Sequence, residues 1–459
     1  MFTIFLFVGL TSISSALHDA HFAHEAASSS IPTTPDSCSA FATSVAAFHK
    51  LNSHFDCTLN ILSTFAMAAV NDSNDVYTFR QMLQQEDKNK FIEAMVKEID
   101  DHNERCHWDI VPRSTLPQGM KTILAVWSFK RKRLPDGTIT KWKARLCCHG
   151  GMQQWGVNYW ETYAPVVCWA SIKLIMLVAT INKIPSRSID FVLAFPQADV
   201  DVLVHMELPI GIDLQGENEK NYILKLNKNL YGLCQASLTW FQMLSKGLTD
   251  RGFEPSKIDP CVFLRKDCII LVYVGDCIVL SRDKNVLDDF ILSMQKGTEG
   301  FTLTDGGGLA RFLGVEMTFL ESGDVVLTQE HLISRIIAAC NIDKSEMNGR
   351  DTPVGKPLLN KDLNGTARKH KWNYRSVIGM LGYLANSTRP ELSMAVHQCA
   401  RFSNDPKLSH ERAILRICRY LLTIYKNGLI LKPDKSLGLQ CYVDADFAGG
   451  WSQVDAENP

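Results

Sequence analysis

The spacing of hydrophobic residues along the chain alternates between helical and strand-like periods. Over residues 171–182, Ile172, Ile175, Met176 and Ala179 recur on one face of a 3.6-residue period, which predicts a helix. Further helical segments are predicted at 78–101, 237–251, 286–295 and 374–425. Strand-like runs separate these segments.

The most informative strand-like stretch contains two runs of β-branched and apolar residues, 269–274 and 277–280. They surround Gly275 and Asp276, which predicts a tight β-hairpin with a carboxylate at its tip. A shorter run at 187–191 predicts one more strand.

Charge is unevenly distributed. The chain carries 48 Lys and Arg residues against 49 Asp and Glu residues, so its net charge of −1 gives no sign of a nucleic-acid partner. Between Lys121 and Arg145, however, eight basic residues accompany a single acid, Asp136. The segments 126–133 and 138–146 flank a Pro-Asp-Gly turn and predict a basic hairpin. This hairpin is either an ordinary solvated surface or a patch that faces phosphates.

The first 75 residues differ from the rest. Residues 1–16 begin with a short apolar run that resembles the hydrophobic region of a signal peptide, although no Lys or Arg precedes it. A secretory signal and an apolar start left by truncation of a longer reading frame both remain open. Residues 17–75 are rich in Ala, Ser, Thr, Pro and His and predict a largely disordered linker. The 14 cysteines include no CxxC pair and favour a reducing compartment.

Asp190 and Asp276 are carboxylates within apolar, strand-like surroundings. An ionised carboxylate in such a setting is costly unless it is paired or bound to a metal. A single aspartate of this kind is more often a turn or cap residue. Two on adjacent strands would form a site for hard cations and could support two-metal phosphoryl transfer. The pattern alone does not establish that these strands meet.

An ordered series of motifs resembles the copia-type reverse transcriptases of LTR retrotransposons. The motifs are WSFKRKRLPDGTITKWKAR at 127–145, GVNYWETYAPV at 156–166, DFVLAF at 190–195, MELPIG at 206–211, LYGLCQASLTW at 230–240, GFEPSKID at 252–259, YVGD at 273–276 and FLGVE at 312–316. Downstream, YRSVIGMLGYLANSTRP at 374–390 resembles the connection that leads to RNase H, and CYVDADFAGG at 441–450 resembles the first RNase H strand. The resemblance covers residues 78–450.

The resemblance implies an α+β right-hand polymerase fold with fingers, a palm built on an antiparallel sheet, and a thumb. Fingers and palm are expected in residues 76–330, and the thumb with a mainly helical connection in 331–435. A truncated RNase H beginning is expected in 436–459. The implied partners are an RNA or DNA template–primer and deoxynucleoside triphosphates. The family predicts a location in the cytoplasm or nucleus and no membrane partner.

The same resemblance assigns metal-binding roles. Asp190 is expected to bind two Mg²⁺ ions, with help from the backbone carbonyl of Phe191. Asp276 is expected to be the second carboxylate, and Asp444 the first carboxylate of the RNase H remnant. Gly275 stands where the family has the first of two adjacent aspartates in a Tyr-Val-Asp-Asp hairpin. Because glycine offers no side-chain ligand, the sequence predicts strongly reduced or absent polymerase activity and a doubtful second metal site.

The resemblance also implies a nucleotide site. Lys143 and Arg145 are expected to hold the incoming triphosphate as charge-assisted donors. Phe195 is expected to be the steric gate against the ribose 2′-hydroxyl, and Gln235 to lie near the nucleotide or template. Without the resemblance, Phe195 would be interpreted as a core aromatic.

Three functional hypotheses follow from the sequence. The first is an RNA-directed DNA polymerase with two-metal nucleotidyl transfer, impaired by Gly275. The second is a catalytically dead relic that still binds nucleic acid. The third is a secreted protein that carries a captured transposon domain, which depends only on residues 1–16. We also expect the chain to be a fragment of a larger polyprotein.

Overall fold

The computed structural model describes residues 3–4, 75–133, 138–212, 214, 217–296, 300–342, 348–355 and 359–432. The helices are α1 Phe79–Met82, α2 Lys88–Glu104, α3 Trp169–Ile181, α4 Ala194–Gln197, α5 Ala236–Thr249, α6 Lys284–Gln295, α7 Glu330–Ala339, α8 Tyr374–Ser387, α9 Ser393–Ala400 and α10 Leu408–Thr423. The strands are β1 Thr3–Ile4, β2 Val76–Thr78, β3 Trp108–Pro112, β4 Ala125–Arg133, β5 Ile139–Cys148, β6 Ser186–Phe191, β7 His205–Glu207, β8 Tyr222–Leu226, β9 Glu254–Pro255, β10 Val262–Arg265, β11 Cys268–Tyr273, β12 Asp276–Leu280, β13 Leu303–Gly308, β14 Arg311–Phe312, β15 Val315–Phe319, β16 Val325–Thr328 and β17 Leu429–Leu431.

Several sequence predictions fall outside the described residues. They are the linker over 17–74, the Pro-Asp-Gly turn at 135–137, and the RNase H beginning at 436–459 with Asp444. The signal-like segment also lies outside them, apart from residues 3–4.

The described residues divide into two compact units. The first unit comprises 75–172 and 183–309, and the second comprises 3–4, 173–182 and 310–432. This division follows contacts in space, whereas the predicted boundaries at 330 and 435 follow function along the chain. Those boundaries therefore stay predictions.

A six-stranded antiparallel sheet forms the centre of the first unit, in the order β13-β6-β12-β11-β10-β9. Its middle strands, β11 and β12, are buried at nearly every position from Cys268 to Val272 and from Cys277 to Leu280. Both sheet faces are therefore covered at these strands. This explains why their sequences are continuous apolar runs and do not alternate with polar residues.

The basic hairpin exists as β4 and β5, which pair with β2 in a three-stranded sheet. Burial alternates along it: Phe129 and Leu146 are fully buried, whereas Arg145 is exposed. Helix α2 contributes Phe91 and Met95 to the same core. The alternation follows from the period of two in a half-buried strand.

The second unit combines a five-stranded sheet, in the order β1-β17-β16-β15-β14, with helices α7 to α10. The single helical region predicted over 374–425 is three helices. Pro390 and Pro406 follow the ends of α8 and α9, and proline disfavours a helical conformation in the residue before it. Among the described residues, no helix is both long enough and apolar enough to span a membrane.

Candidate active site

Asp190 and Asp276 lie directly opposite each other on neighbouring strands. Asp190 is the penultimate residue of β6, Asp276 is the first residue of β12, and the two are cross-strand partners in antiparallel register. Opposed residues of this kind place their Cβ atoms about 4.5–5.5 Å apart. Both side chains are exposed, although Ile189 and Cys277 beside them are buried. The structure thus brings the two predicted carboxylates together.

The tip of the hairpin between β11 and β12 is formed by Val274 and Gly275. The prediction of a Gly275-Asp276 tip is wrong by one residue, because Asp276 already pairs with the last residue of β11. Val274 takes the left-handed turn conformation, with φ of 55°. The carbonyl of Val274 accepts a hydrogen bond from the indole of Trp240 at 2.8 Å, and that of Gly275 accepts one from the Phe191 amide at 2.8 Å. Backbone atoms therefore hold the tip in place.

Gly275 lies next to Asp276, the cross-strand partner of Asp190, and is itself close to the Asp190 side chain. A Cβ atom at 275 would lie 3.7 Å from Oδ1 of Asp190, 3.3 Å from the carbonyl oxygen of Phe191 and 3.4 Å from Cβ of Ala194. A side chain at this position would therefore begin close to the Asp190 carboxylate. Glycine offers no ligand there.

The electrostatics of the pair suit a cation. Although Asp276 is partly accessible to solvent, the protein atoms packed around it raise the pKa of its carboxyl by desolvation; the charge of Asp190 raises this pKa further, and Lys132 opposes the change. Two neighbouring carboxylates and the Phe191 carbonyl offer only oxygen donors, which fits Mg²⁺. Among the described residues, no group of three or more His, Cys, Asp or Glu side chains is positioned to hold a metal.

Three of the residues beside this pair, Arg145, Tyr231 and Phe195, pack against one another in a row, with the two rings tilted by 55°. The guanidinium of Arg145 lies 4.8 Å from the ring centre of Tyr231, and that ring lies 5.2 Å from the ring of Phe195. Burial raises the pKa of Tyr231, against the opposing charge of Arg145. Tyr231 was not singled out from the sequence, because nothing in its local pattern shows that it lies between two segments distant along the chain.

Lys143 lies on β5 opposite Lys130 of β4. It is half-buried, and burial together with the charge of Arg145 lowers its pKa to about 8. Burial and the neighbouring Arg145 disfavour the charged form of Lys143, and a bound anion would stabilise that form. The structure therefore places Lys143 and Arg145 on one strand with unequal exposure.

The basic hairpin is partly neutralised by acids from outside the 121–145 segment. Arg131 forms an ion pair with Asp87, and Arg133 forms one with Asp75. The patch predicted from this segment is therefore less positive than its sequence indicates. Both acids lie more than 40 residues before their partners, so local composition could not reveal them.

Gln235 is fully buried, and its amide is engaged with protein atoms. Its Oε1 accepts a hydrogen bond from Nε2 of Gln153 at 2.9 Å, and its Nε2 donates to the carbonyl of Asn158 at 3.4 Å. The structure thus connects Gln235 to the loop that follows β5. Its predicted place near the nucleotide or template stays a prediction.

Comparison with known families decides the ancestry of the chain. A family model described as reverse transcriptase (RNA-dependent DNA polymerase) matches residues 106–356, more than half of the chain. The chain belongs to this family. The retrovirus-related Pol polyprotein from transposon RE1 of Arabidopsis thaliana is 33% identical over 365 residues, covering 78% of this chain and 24% of that protein. The corresponding polyprotein from transposon TNT 1-94 of Nicotiana tabacum is 28% identical over 396 residues, covering 83% and 29%.

These relatives are copia-type Pol polyproteins, so the predicted family is confirmed. The chain spans about a quarter of the length of these two relatives. Among solved structures, a foamy viral protease–reverse transcriptase in complex with double-stranded DNA matches at 12% identity and a TM-score of 0.37. That match covers 73% of this chain and 48% of that one.

Proposed function

We propose that the first unit carries the active site of an RNA-directed DNA polymerase, and that Gly275 impairs this site. The observation that carries the proposal is the cross-strand pairing of Asp190 with Asp276. Two carboxylates held opposite each other on central strands repel one another when both are ionised, and a bound cation would relieve this repulsion. Membership in the reverse transcriptase family supports the same reaction.

The reaction would join a deoxynucleotide to the 3′ end of a primer paired with an RNA or DNA template. The primer 3′-oxygen attacks the α-phosphorus of a deoxynucleoside triphosphate, and the bond from that phosphorus to pyrophosphate breaks. Bound Mg²⁺ would activate the attacking hydroxyl and neutralise the leaving pyrophosphate. Asp190 and Asp276 would hold the metal with the carbonyl of Phe191.

The residues beside the carboxylates would hold the nucleotide. Lys143 and Arg145 would donate charge-assisted hydrogen bonds to the triphosphate. Phe195, packed against Tyr231, would exclude a ribose 2′-hydroxyl by steric hindrance. The contact of Arg145 with the Tyr231 ring supports this role, because it links the phosphate-binding side chain to the ring against which Phe195 packs.

The same reasoning assigns the parts of a right-hand polymerase. The six-stranded sheet of the first unit would be the palm, and the sheet of β2, β4 and β5 would belong to the fingers. The helices of the second unit would supply the thumb and connection. These roles follow from the position of the carboxylates and from the family.

A second candidate function is nucleic-acid binding without catalysis. It is favoured by one observation: Gly275 removes a ligand while the bonds that hold the hairpin tip remain in place. Salt-dependent binding of a primer–template without incorporation would identify this function.

A primer-extension assay on an RNA template tests the first proposal. We expect weak extension with Mg²⁺ or Mn²⁺, and its loss in Asp190→Ala, because that change removes the central metal ligand. Asp201→Ala removes an exposed carboxylate of the same unit and should leave extension unchanged. Extension that survives Asp190→Ala would refute the assignment of the site.

A further inference from the structure

An exposed aromatic surface lies in the first unit on residues 150–163, which we call the aromatic loop. Trp155 is 70% exposed, Trp160 and Val157 are each 49% exposed, and Met152 is 43% exposed. Isolated exposed hydrophobic residues are common on proteins, but several within one short loop make that loop a candidate binding surface. None of the interactions proposed so far uses these side chains.

Buried amides hold the aromatic loop in a fixed shape. Gln153 and Asn158 are each 9% exposed, and Gln235 beneath them is fully buried. Gln153 donates to the Asn158 carbonyl at 3.1 Å and to Gln235 at 2.9 Å, and the Asn158 side chain accepts from the backbone of Gln154 at 2.7 Å. The tryptophans are therefore presented from an ordered support.

The aromatic loop adjoins the candidate nucleotide site. It begins directly after β5, where the amide of Cys148 donates to the carbonyl of Tyr231 at 2.7 Å. Further on, the side chain of Gln153 accepts from the amide of Cys234 at 2.7 Å. The segment 231–235 thus connects the loop to Tyr231, whose ring contacts Arg145.

We propose that Trp155 and Trp160 form a stacking platform for the unpaired bases of a single-stranded nucleic acid. The proposal rests on the proposed function for the identity of the polymer. Aromatic rings stack on any base, and a nearby cation attracts the phosphates that connect the bases. The loop carries a single acid, Glu161, and no Lys or Arg, so the cation nearest in the chain for the phosphates is the exposed Arg145 of the preceding strand.

Gln235 is then a positioning residue, because it touches the loop and not the polymer. Its amide fixes Gln153 and Asn158, and these set the turn that carries Trp155. Gln235 would thus affect template binding only through the shape of the aromatic loop, which is a role that a buried side chain can have.

The experiment measures binding of the full chain to fluorescent hairpin duplexes, without nucleotide or divalent metal. One probe has a ten-nucleotide single-stranded overhang, a second is blunt, and a third has an overhang without bases. We expect Trp155→Ala/Trp160→Ala to bind the first probe about 5- to 100-fold more weakly and the other two as the parent does. Because stacking releases few counterions, the salt dependence should stay unchanged. Ile258→Ala, which truncates a side chain that is 78% exposed, is the matched control.

Equal binding of the first probe by the parent and the double variant would overturn the proposal. An equal loss on the blunt and abasic probes would overturn it as well, as would an equal loss in Ile258→Ala. If the double variant loses only the self-association of the protein and binds the overhang probe as the parent does, the aromatic loop is a protein–protein contact and the proposal is wrong. Because binding needs no catalysis, primer extension that survives Asp190→Ala would refute the proposed function and leave this test intact.

A second pair of variants tests the positioning role. Gln235→Leu should weaken binding of the overhang probe and increase the mobility of the tryptophans, as seen in fluorescence anisotropy decay. Gln235→Glu keeps the acceptor for Gln153 and should restore part of both signals. Unchanged tryptophan mobility in Gln235→Leu would contradict the role.

Discussion

Replacing Gly275 with aspartate should restore metal-dependent polymerisation. The added Cβ would lie 3.7 Å from Oδ1 of Asp190, so the new carboxylate would lie close to the existing one. Two oxygens bound to one Mg²⁺ are at most about 4 Å apart, because each Mg–O bond is about 2.0–2.1 Å long. The geometry therefore allows positions 190 and 275 to share an ion.

The expected increase in polymerisation rate depends on the steric cost of the new side chain and on the rate gained from the new metal ligand. Contacts of 3.3 Å to the Phe191 carbonyl and 3.4 Å to Ala194 require shifts of a few tenths of an ångström, which cost about 1 kcal/mol. Gly275 does not have a left-handed φ, so aspartate adds no backbone strain. Removing a group that only orients a metal ligand costs about 10–100-fold in activity. Gaining a direct ligand should raise the rate at least that much, or lower the barrier by about 1.4–2.7 kcal/mol.

Single-turnover primer extension over a series of Mg²⁺ concentrations measures the effect. Gly275→Ala reproduces the steric change and Gly275→Asn the shape without the charge, so neither should activate the protein. Without metal, Gly275→Asp should melt at a lower temperature than the parent, because three carboxylates then repel one another, and Mg²⁺ should reverse this loss. Equal rates for Gly275→Asp and Gly275→Asn would refute the reasoning.

Two further predictions concern Lys143 and Asp87. The pKa of about 8 for Lys143 lies below that of an unfolded lysine. The Lys143 side chain therefore loses its proton and its positive charge at a lower pH than an ordinary lysine does. Triphosphate affinity should therefore fall about tenfold between pH 7 and 9, whereas Lys143→Arg, whose guanidinium stays charged, should show a flat profile; parallel profiles would contradict the role. Hydrogen bonds from Arg131 hold the pKa of Asp87 far below its usual value despite partial burial, so the pair stabilises the fold above about pH 4. Asp87→Asn should cost about 1–3 kcal/mol in urea unfolding at pH 7 and less at pH 3, while Asp101→Asn at the exposed Lys97 pair should cost under about 1 kcal/mol at either pH.

The elements of the fold that depend on local pattern could be predicted from the sequence. The apolar runs around Gly275 form a hairpin, the segment containing Asp190 forms a strand, and the 3.6-residue period over 171–182 corresponds to α3. Each of these signals lies within about a dozen residues. The pairing of Asp190 with Asp276 could only be expected from the family, because 86 residues separate them.

The remaining features depend on contacts between distant segments. Local turn chemistry favours glycine for a positive φ, yet Val274 takes that conformation, because Trp240 and Phe191 hold the carbonyls of the tip. In the same way, Asp87 and Asp75 neutralise arginines that look free in the sequence. No single segment contains this information.

The way the hairpin tip is held has an evolutionary consequence. Its two anchoring bonds use backbone carbonyls, which every residue type possesses. Under the proposed function, a mutation at position 275 would therefore abolish copying while the bonds that hold the folded hairpin remain. Such a defect would leave no misfolded protein for cellular quality control to remove. The abundance of the folded product is then no guide to whether a gene copy can still multiply, and inactive copies can accumulate in a genome without a burden of misfolded protein.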